Sequence, residues 1–451
     1  MVSPDIIAAI ATPPGKGGIS VIRISGSNLK HLAETILGNL PEPRYASFRK
    51  FLDTDGQIID QGIALYFPAP NSYTGEDILE LQGHGGPAVM NLLLNRCLSA
   101  GARLAQPGEF TLRAYLNNRI DLIQAESVSA IIEASTHEAA RCAINSLQGK
   151  FSARVNELVS LVITLRMLIE AILDFPEDEI DNLQALQIKE RLNDVYTQLE
   201  QIFAAARQGN LLQEGIKIVL VGAPNVGKSS LLNQLVEEDA AIVTEIPGTT
   251  RDTIQRTIAI AGIPIHIIDT AGLRETSDIV EQKGIDRTHA AIRNANMVLQ
   301  LIDSSQNNPD IKDQIQKHIP FDKPLITVFN KIDLLNEQPR IEGEKADISI
   351  HLSAKTGAGI ELLRQKILDI IGWQSNQAGE GVFMARQRHL EALKQAKENL
   401  QNAQIFTENE SQLELLAEEL RLAQHALSAI TGKFTADDLL GEIFSHFCIG
   451  K

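Results

Sequence analysis

Aromatic residues are scarce in this chain: 4% of 451 positions, with a single tryptophan. A core short of large rings has to be filled by aliphatic side chains, and the leucine-, isoleucine- and alanine-rich segments suggest much helix. Cysteine is scarce too. Cys97, Cys142 and Cys448 are far apart and odd in number, which argues against a disulfide framework, and no CxxC spacing suggests zinc. That usage suits a reducing cytosol. No apolar stretch reaches about 18 residues, and the opening MVSPDIIAAIATPPGKGG is short of apolar length for a signal peptide. A soluble, cytoplasmic protein with no membrane partner is expected. Positive charge is in deficit as well, with 41 Lys+Arg against 57 Asp+Glu and a net charge of −16. This balance argues against a broadly basic nucleic-acid surface, so any RNA contact must be local or shared with a partner.

What is present is more specific. The apolar run IKIVLV leads into GAPNVGKSS, Gly222 to Ser230, and then into the helix-forming SSLLNQLV. Strand, loop and helix in this order read as a phosphate-binding loop. Gly222 and Gly227 let the backbone curl so that its N–H groups point at phosphate oxygens. Lys228 adds a cation near the β and γ phosphates, and the Ser229 hydroxyl can ligate Mg2+. The helix aims its positive N-terminus at the same anion. Asn225, Val226, Gly227, Lys228, Ser229 and Ser230 are the nucleotide contacts expected from this loop.

The base is read further on. NKID, Asn330 to Asp333, follows PLITVF and so lies at the C-terminal end of a parallel strand; SAKTG, Ser353 to Gly357, follows the short strand DISIHL. Asp333 can accept both the ring N–H and the exocyclic amine of guanine. Adenine offers no matching donor pair, and sites built on such pairing discriminate by about 10⁴–10⁵. Asn330, Lys331, Ser353, Ala354 and Lys355 complete the expected base site. DTAGLRE lies between the two regions. Asp269 can hold Mg2+ through water and the Gly272 amide can meet the γ-phosphate, with Thr270 and Ala271 between them. Upstream, GTTRD supplies Gly248, Thr249 and Thr250, of which Thr250 is the better Mg2+ ligand. Leu273 stands where many GTPases carry a water-positioning glutamine. An apolar side chain cannot orient water, so catalysis must recruit another residue or an ion.

Residues 1–118 read as mixed α/β, with strands over GISVIRISG, GIALYFP and EDILELQGHGG and a helix over PAVMNLLLNRCLSAG. Over 119–210 the pattern turns helical. Phe151, Val155, Leu158, Val162, Leu165, Ile169 and Ile172 recur at four- and three-residue steps, and Ile188, Leu192, Val195, Leu199 and Ile202 repeat them. Long antiparallel helices follow. The GTPase strings occupy 211–373 and predict a Ras-like, mostly parallel sheet. After the polar linker WQSNQAGEG, helical periodicity resumes over 374–451 with Leu390, Leu393, Ala396, Leu400 and Ala403. The fold class is α/β plus α-helical: an N-terminal α/β domain, a helical-bundle domain, and a phosphate-loop GTPase domain inserted between the two helical parts.

The GTPase order, Leu273, VTEIPGTTRD and the closing CIGK together resemble the MnmE (TrmE) family of bacterial tRNA-modification GTPases, and the likeness runs from VIRISG to Lys451. The resemblance implies a K+-stimulated GTPase whose two G domains meet across a homodimer. It also implies a partner, the FAD protein MnmG (GidA), with which the family forms a hetero-oligomer. Together they add a carboxymethylaminomethyl-type group to C5 of the wobble uridine of certain tRNAs, using a folate one-carbon unit.

The same resemblance assigns roles to residues that read blandly alone. Asn225, otherwise a polar loop residue, becomes a K+ ligand with Thr244, Ile246 and Thr249, and Glu245 and Pro247 join the GTP contacts. A monovalent cation against the phosphates supplies charge stabilisation that other GTPases take from an arginine finger. Glu281, otherwise a solvated helix carboxylate, becomes the residue that positions the attacking water; Arg251 and Arg274 are rival catalytic candidates. Arg23, Glu80 and Arg119 become contacts for 5-formyltetrahydrofolate or a related folate, in a domain over 1–118 that also dimerises. The chemistry expected there is a basic side chain for the glutamyl carboxylate and a carboxylate for the pterin N–H groups. His84 reads as a pocket residue or a turn residue. Cys448 is either a small packing residue or a thiol needed for modification, and Lys451 is a folate contact. The alternative is a non-modifying GTPase switch in ribosome assembly, which a basic RNA-binding addition would favour; this acidic chain shows none.

Overall fold

The computed structural model describes residues 5–174, 182–236, 255–269, 290–306, 320, 323–343, 348–374, 381–407, 412–433, 443–445, 447 and 450. They fall into two units. Met1–Ser129, Ser146–Val195 and Gln395–Lys451 form one; Ala130–Asn145 and Tyr196–Lys394 form the other.

In the first unit, side chains that alternate along each strand are sorted between two faces of a sheet. β1 (Ile7–Ile10) pairs antiparallel with β2 (Gly17–Gly26), Ala9 standing opposite Arg23. β3 (Ser47–Leu52), β4 (Ile58–Phe67), β5 (Asp77–Gly85) and β6 (Arg103–Leu104) complete the order β3-β4-β5-β2-β1-β6. Ile22, Ile24, Leu79 and Leu81 are buried on one face with residues of helices Lys30–Leu37 and Pro87–Ser99. Arg23 and Glu80 alternate to the other face, where helix Glu109–Leu116 brings Phe110 against Ile7, Ala9 and Tyr73. Helix Lys150–Asp174 buries Phe151, Val155, Leu158, Val162, Leu165 and Ile169 of the expected stripe, leaves its last member Ile172 half-buried, and packs on helix Leu413–Thr431. Each such fully buried aliphatic side chain contributes about 1.5–3 kcal/mol. In helix Gln387–Phe406, His389 rather than Leu390 is the residue buried at the first turn, and its Nδ1 accepts the Arg386 amide at 3.0 Å.

The second unit is built on β7 (Ile216–Gly222), β8 (Gln255–Ile260), β9 (Ile263–Asp269), β10 (Met297–Asp303), β11 (Leu325–Asn330), β12 (Arg340–Glu342) and β13 (Ile348–His351). Their order is β12-β13-β11-β10-β7-β9-β8. The five strands from β13 to β9 run parallel, and the outermost pair on each side is antiparallel. The sheet is mostly parallel, as the apolar runs predict; β10 is buried throughout.

The two units do not follow the four spans read from periodicity. Ala130, Cys142, Ala143, Leu212, Trp373, Val382 and Met384 join the same apolar cluster as β7, β9 and helix Ile360–Ile371. Gly209 lets the chain pass close: a Cβ there would stand 1.8 Å from the Phe383 carbonyl oxygen. Asn210 donates to the Ala385 carbonyl at 3.2 Å and Asn145 to that of Val382 at 3.0 Å. Segments flanking the GTPase strings thus complete the core of this unit. Among the described residues no helix is long and apolar enough to cross a membrane.

Candidate functional site

β7 delivers Gly222 to the edge of the phosphate loop, and helix Lys228–Val236 leaves it. The backbone curls through two left-handed residues, Asn225 (φ 62°) and Gly227 (φ 99°). Glycine is required at the second. A Cβ there would come within 2.2 Å of the Asn330 Nδ2 atom, and one at Gly222 within 2.7 Å of the Leu301 carbonyl oxygen. Lys228 is buried and donates from Nζ to the Gly222 carbonyl at 2.8 Å, while Ser229 and Ser230 are exposed in the first helical turn. A cation, two hydroxyls and helix-terminal N–H groups therefore meet at one place, the chemistry of a phosphate site.

The base loops are tied to it directly. Asn330, buried at the end of β11, donates from Nδ2 to the Val226 carbonyl at 2.7 Å and accepts the Ala354 amide on Oδ1 at 2.9 Å. One side chain thus fixes the phosphate loop, NKID and SAKTG to each other. Val226 is buried beside it. Lys331 is left-handed (φ 70°), and its Nζ lies 2.6 Å from Asp303 Oδ2. Asp333 accepts the Ser353 hydroxyl at 2.6 Å. That bond uses one of the roughly four lone-pair sites of a carboxylate, so capacity for a donor pair remains. Lys355 is exposed. Asp269 closes β9 in register with Leu220, which starts the DTAG loop beside the phosphate-loop strand. Thr244, Glu245, Ile246, Pro247, Gly248, Thr249, Thr250, Arg251, Thr270, Ala271, Gly272, Leu273, Arg274 and Glu281 lie outside the described residues.

The first unit carries a separate constellation. Arg23 and Glu80 are opposite each other on β2 and β5 and form an ion pair at 3.0 Å, their side chains 25% and 16% accessible. The Arg23 guanidinium carbon lies 5.6 Å from the centre of the Tyr73 ring and 5.9 Å from that of Phe110. Neither ring was legible as a site residue in the sequence, because each belongs to a segment with no motif. Burial pushes the Tyr73 phenol up, against its bond with Thr111 and the Arg23 charge. Arg119 is exposed, its stem 3.2 Å from where a Cβ at Gly75 would stand. His84 is held by Asp60 instead: Nδ1 to Oδ1 at 2.8 Å and backbone N–H to Oδ2 at 2.8 Å. Burial raises the Asp60 carboxyl, but these bonds outweigh it and hold the group below its ordinary range.

The same unit holds a network centred on the buried Arg113 that the sequence gives no sign of. Arg113, 3% exposed, donates to Glu76 at 3.0 Å, Glu109 at 3.0 Å and Asp5 at 2.9 Å. Glu76 also accepts from Ser25, which bonds Thr74. Burial raises the Glu109 carboxyl, yet its bonds with Arg103, Gln106 and Arg113 keep it low. Cys448 and Lys451 lie outside the described residues, whereas Phe447 and Gly450 lie within them. Gly450 (φ 98°) is so close to β1 that a Cβ would stand 2.5 Å from the Ile10 carbonyl oxygen. Gly108 makes the same kind of approach to Phe444, at 2.7 Å. Cys97 and Cys142 are buried, and burial pushes both thiols up to about 12.

A mostly parallel sheet with a phosphate loop cross-tied to a guanine-type base loop defines a phosphate-loop GTPase. Comparison with known proteins narrows the class. A family model described as the MnmE helical domain matches residues 122–448, and one described as the GTP-binding protein TrmE N-terminus matches residues 6–119. The chain is similar to proteins named tRNA modification GTPase MnmE from Nitrosomonas eutropha, at 62% identity over 100% of both chains, and from Nitrosomonas europaea, at 63% identity over the same coverage. Among solved structures it matches Aquifex aeolicus Era bound to GDP.AlF4-, with 24% identity, 41% of this chain, 66% of that one and a TM-score of 0.27. This chain belongs to the MnmE family.

Proposed function

We propose that this chain hydrolyses GTP in a cycle that serves tRNA modification at C5 of the wobble uridine, working as a cytoplasmic homodimer with the FAD protein MnmG. The observation that carries the nucleotide half is Asn330, which locks the phosphate loop to both base loops, with Asp333 oriented by Ser353. The tRNA half is supported by the names of the relatives that match along the whole chain.

The residues present fit the ions this reading needs. The exposed Ser229 hydroxyl is a hard oxygen donor at the phosphate end, suited to Mg2+, with Thr250 as its partner ligand. Asn225 presents an exposed, left-handed loop position for K+, to be completed by Thr244, Ile246 and Thr249. Bound there, a monovalent cation supplies positive charge at the phosphates. Glu281 then orients the water that Leu273 cannot.

The folate reading takes a sharper form. Arg23 and Glu80 are contiguous, so they address one end of a folate together, not its two ends separately. The flat rings of Tyr73 and Phe110 beside them fit the pterin, whose N–H donors Glu80 accepts while Arg23 holds the carboxylate in place. Arg119, and Lys451 next to the docked Gly450, are left for the glutamyl carboxylate. A deletion strain complemented with this gene is the test. Mass spectrometry of its tRNA nucleosides should show the wobble modification restored by the wild-type chain and not by a Lys228→Ala variant. Restoration without a functional phosphate loop would sink the coupling of GTP to modification.

A further inference from the structure

We propose that Asp303 is a positioning residue for the guanine nucleotide, acting through Lys331. The inference rests on NKID being the base loop and adds to it a residue that belongs to no nucleotide motif of the sequence.

Asp303 is the last residue of β10, in register with Asn330 at the end of β11. Its side chain is only 5% accessible, against 30% for that of Lys331. The carboxylate accepts the Ser305 amide at 3.0 Å and the Ser305 hydroxyl at 2.7 Å, both on Oδ1, beside the turn's backbone bond from the Gln306 amide to the Asp303 carbonyl at 3.1 Å. The other oxygen takes a long bond from Gln306 Nε2 at 3.5 Å and a short one from Lys331 Nζ at 2.6 Å, the latter across a separation of 28 residues. The Lys331 bond has no part in the turn. Burial pulls the Asp303 carboxyl upward, but the bonds from Lys331 and Ser305 outweigh it, so the group stays ionised at neutral pH.

The consequence falls on the stem of Lys331. Its backbone is left-handed and fixed between Asn330, bonded to the phosphate loop, and Asp333, assigned to the base edge. A free lysine samples many rotamers, and ordering them on binding costs entropy. With its ammonium anchored on a buried, turn-locked carboxylate, the methylene stem is ordered before the nucleotide arrives. It then offers a flat base a ready apolar wall, so binding loses less freedom. The effect belongs to affinity; no step of hydrolysis passes through Asp303.

Mant-GDP affinity and steady-state GTPase kinetics of the full chain test this. Asp303→Asn keeps an acceptor for Ser305 and removes the charge that holds Lys331. It should raise the Kd for mant-GDP and the KM for GTP about tenfold, with kcat within about twofold. Lys331→Met keeps an unbranched apolar stem without the ammonium and should show a similar rise. The double variant should be no worse than the weaker-binding single one, because both remove the same bond. Asp303→Ser is the second variant should the asparagine form not fold, and the same rise is expected. Wild-type affinity in Asp303→Asn alongside weakened Lys331→Met would leave Asp303 a turn former and overturn the proposal. Independent, additive losses would overturn it too, since Asp303 would not act through Lys331. Wild-type affinity in Lys331→Met would also overturn it, since the anchored ammonium would then not matter to the nucleotide, whereas unchanged GTP affinity in Asp333→Asn would remove the base-loop reading itself.

Discussion

Asp333 is the residue proposed to read the base. Its carboxylate accepts one hydrogen bond from Ser353 and retains sites for two donors on the base edge. Asp333→Asn replaces one acceptor by a donor, so a guanine N–H meets an N–H. GTP binding should weaken by about 1.5–3 kcal/mol, the range for a hydrogen bond to a charged group, and xanthosine triphosphate should become the better ligand. Competition against mant-GDP measures both; unchanged GTP affinity would remove the assignment. Arg23 invites a similar argument in the other unit. Arg23→Ala strands Glu80 beside two rings, so calorimetry with 5-formyltetrahydrofolate should show a loss of about 1.5–3 kcal/mol. No measurable heat with the wild-type protein would discard the folate site. Glu109 adds a pH dependence. Its folded pKa lies below the ordinary 4.5, so its contribution is present above that value and is lost as pH falls through the folded pKa. Melts between pH 3 and 6 should show a shallower acid slope in Glu109→Gln than in wild type.

Elements show which signals a sequence carries in the open. The phosphate loop was legible because its chemistry needs glycine, lysine and a hydroxyl at fixed spacing, and the stripe Phe151 to Ile169 because a helix repeats. Strand pairing was not. Nothing in VIRISG or LELQGHGG says that Arg23 will face Glu80; that follows from the register of β2 against β5, set across 57 residues of chain. Periodicity also placed Leu390 in the core where His389 sits, because a buried imidazole that caps its own helix start breaks the apolar pattern. Close approaches were silent as well. Gly209 looks like an ordinary glycine at the end of a helix, yet it is the point at which the Phe383 backbone crosses. Gly209→Ala forces a methyl group against a carbonyl oxygen that cannot rotate away. Overpacking of this kind costs about 1–3 kcal/mol, so thermal unfolding should start several degrees lower in a chain whose GTP site is untouched. A melting curve superimposable on wild type would show that the Phe383 segment yields.

At the scale of the whole molecule, the chain divides its chemistry between two units. All described nucleotide residues, from Asn225 to Lys355, fall in one; Arg23, Glu80, Arg119 and the positions of Cys448 and Lys451 fall in the other. The phosphate site should therefore answer to its own ion. With Leu273 in place of a water-orienting side chain, turnover should be much faster in K+ than in Na+, and Asn225→Ala should flatten the difference. A wild-type rate indifferent to the cation would return Arg251 and Arg274 as charge donors. The terminal motif should answer to the other unit. Phe444 and Phe447 pack with Leu122 and Ala125, and Gly450 presses on the end of β1, whose Ala9 pairs with Arg23. Cys448 lies between Phe447 and Gly450 in sequence, and the role proposed for it belongs to modification, not to GTP hydrolysis. Serine is close to cysteine in size but is no nucleophile at neutral pH, whereas an ordinary thiol with a pKa of about 8.5 is partly ionised there. Cys448→Ser should then leave GTP binding and hydrolysis intact and abolish wobble modification, read as nucleosides by mass spectrometry from complemented cells. Modification at wild-type level would make Cys448 a packing residue. A parallel fall in both activities would mean that the C-terminus holds the fold, because a thiol confined to one unit's chemistry has no reason to slow the other's.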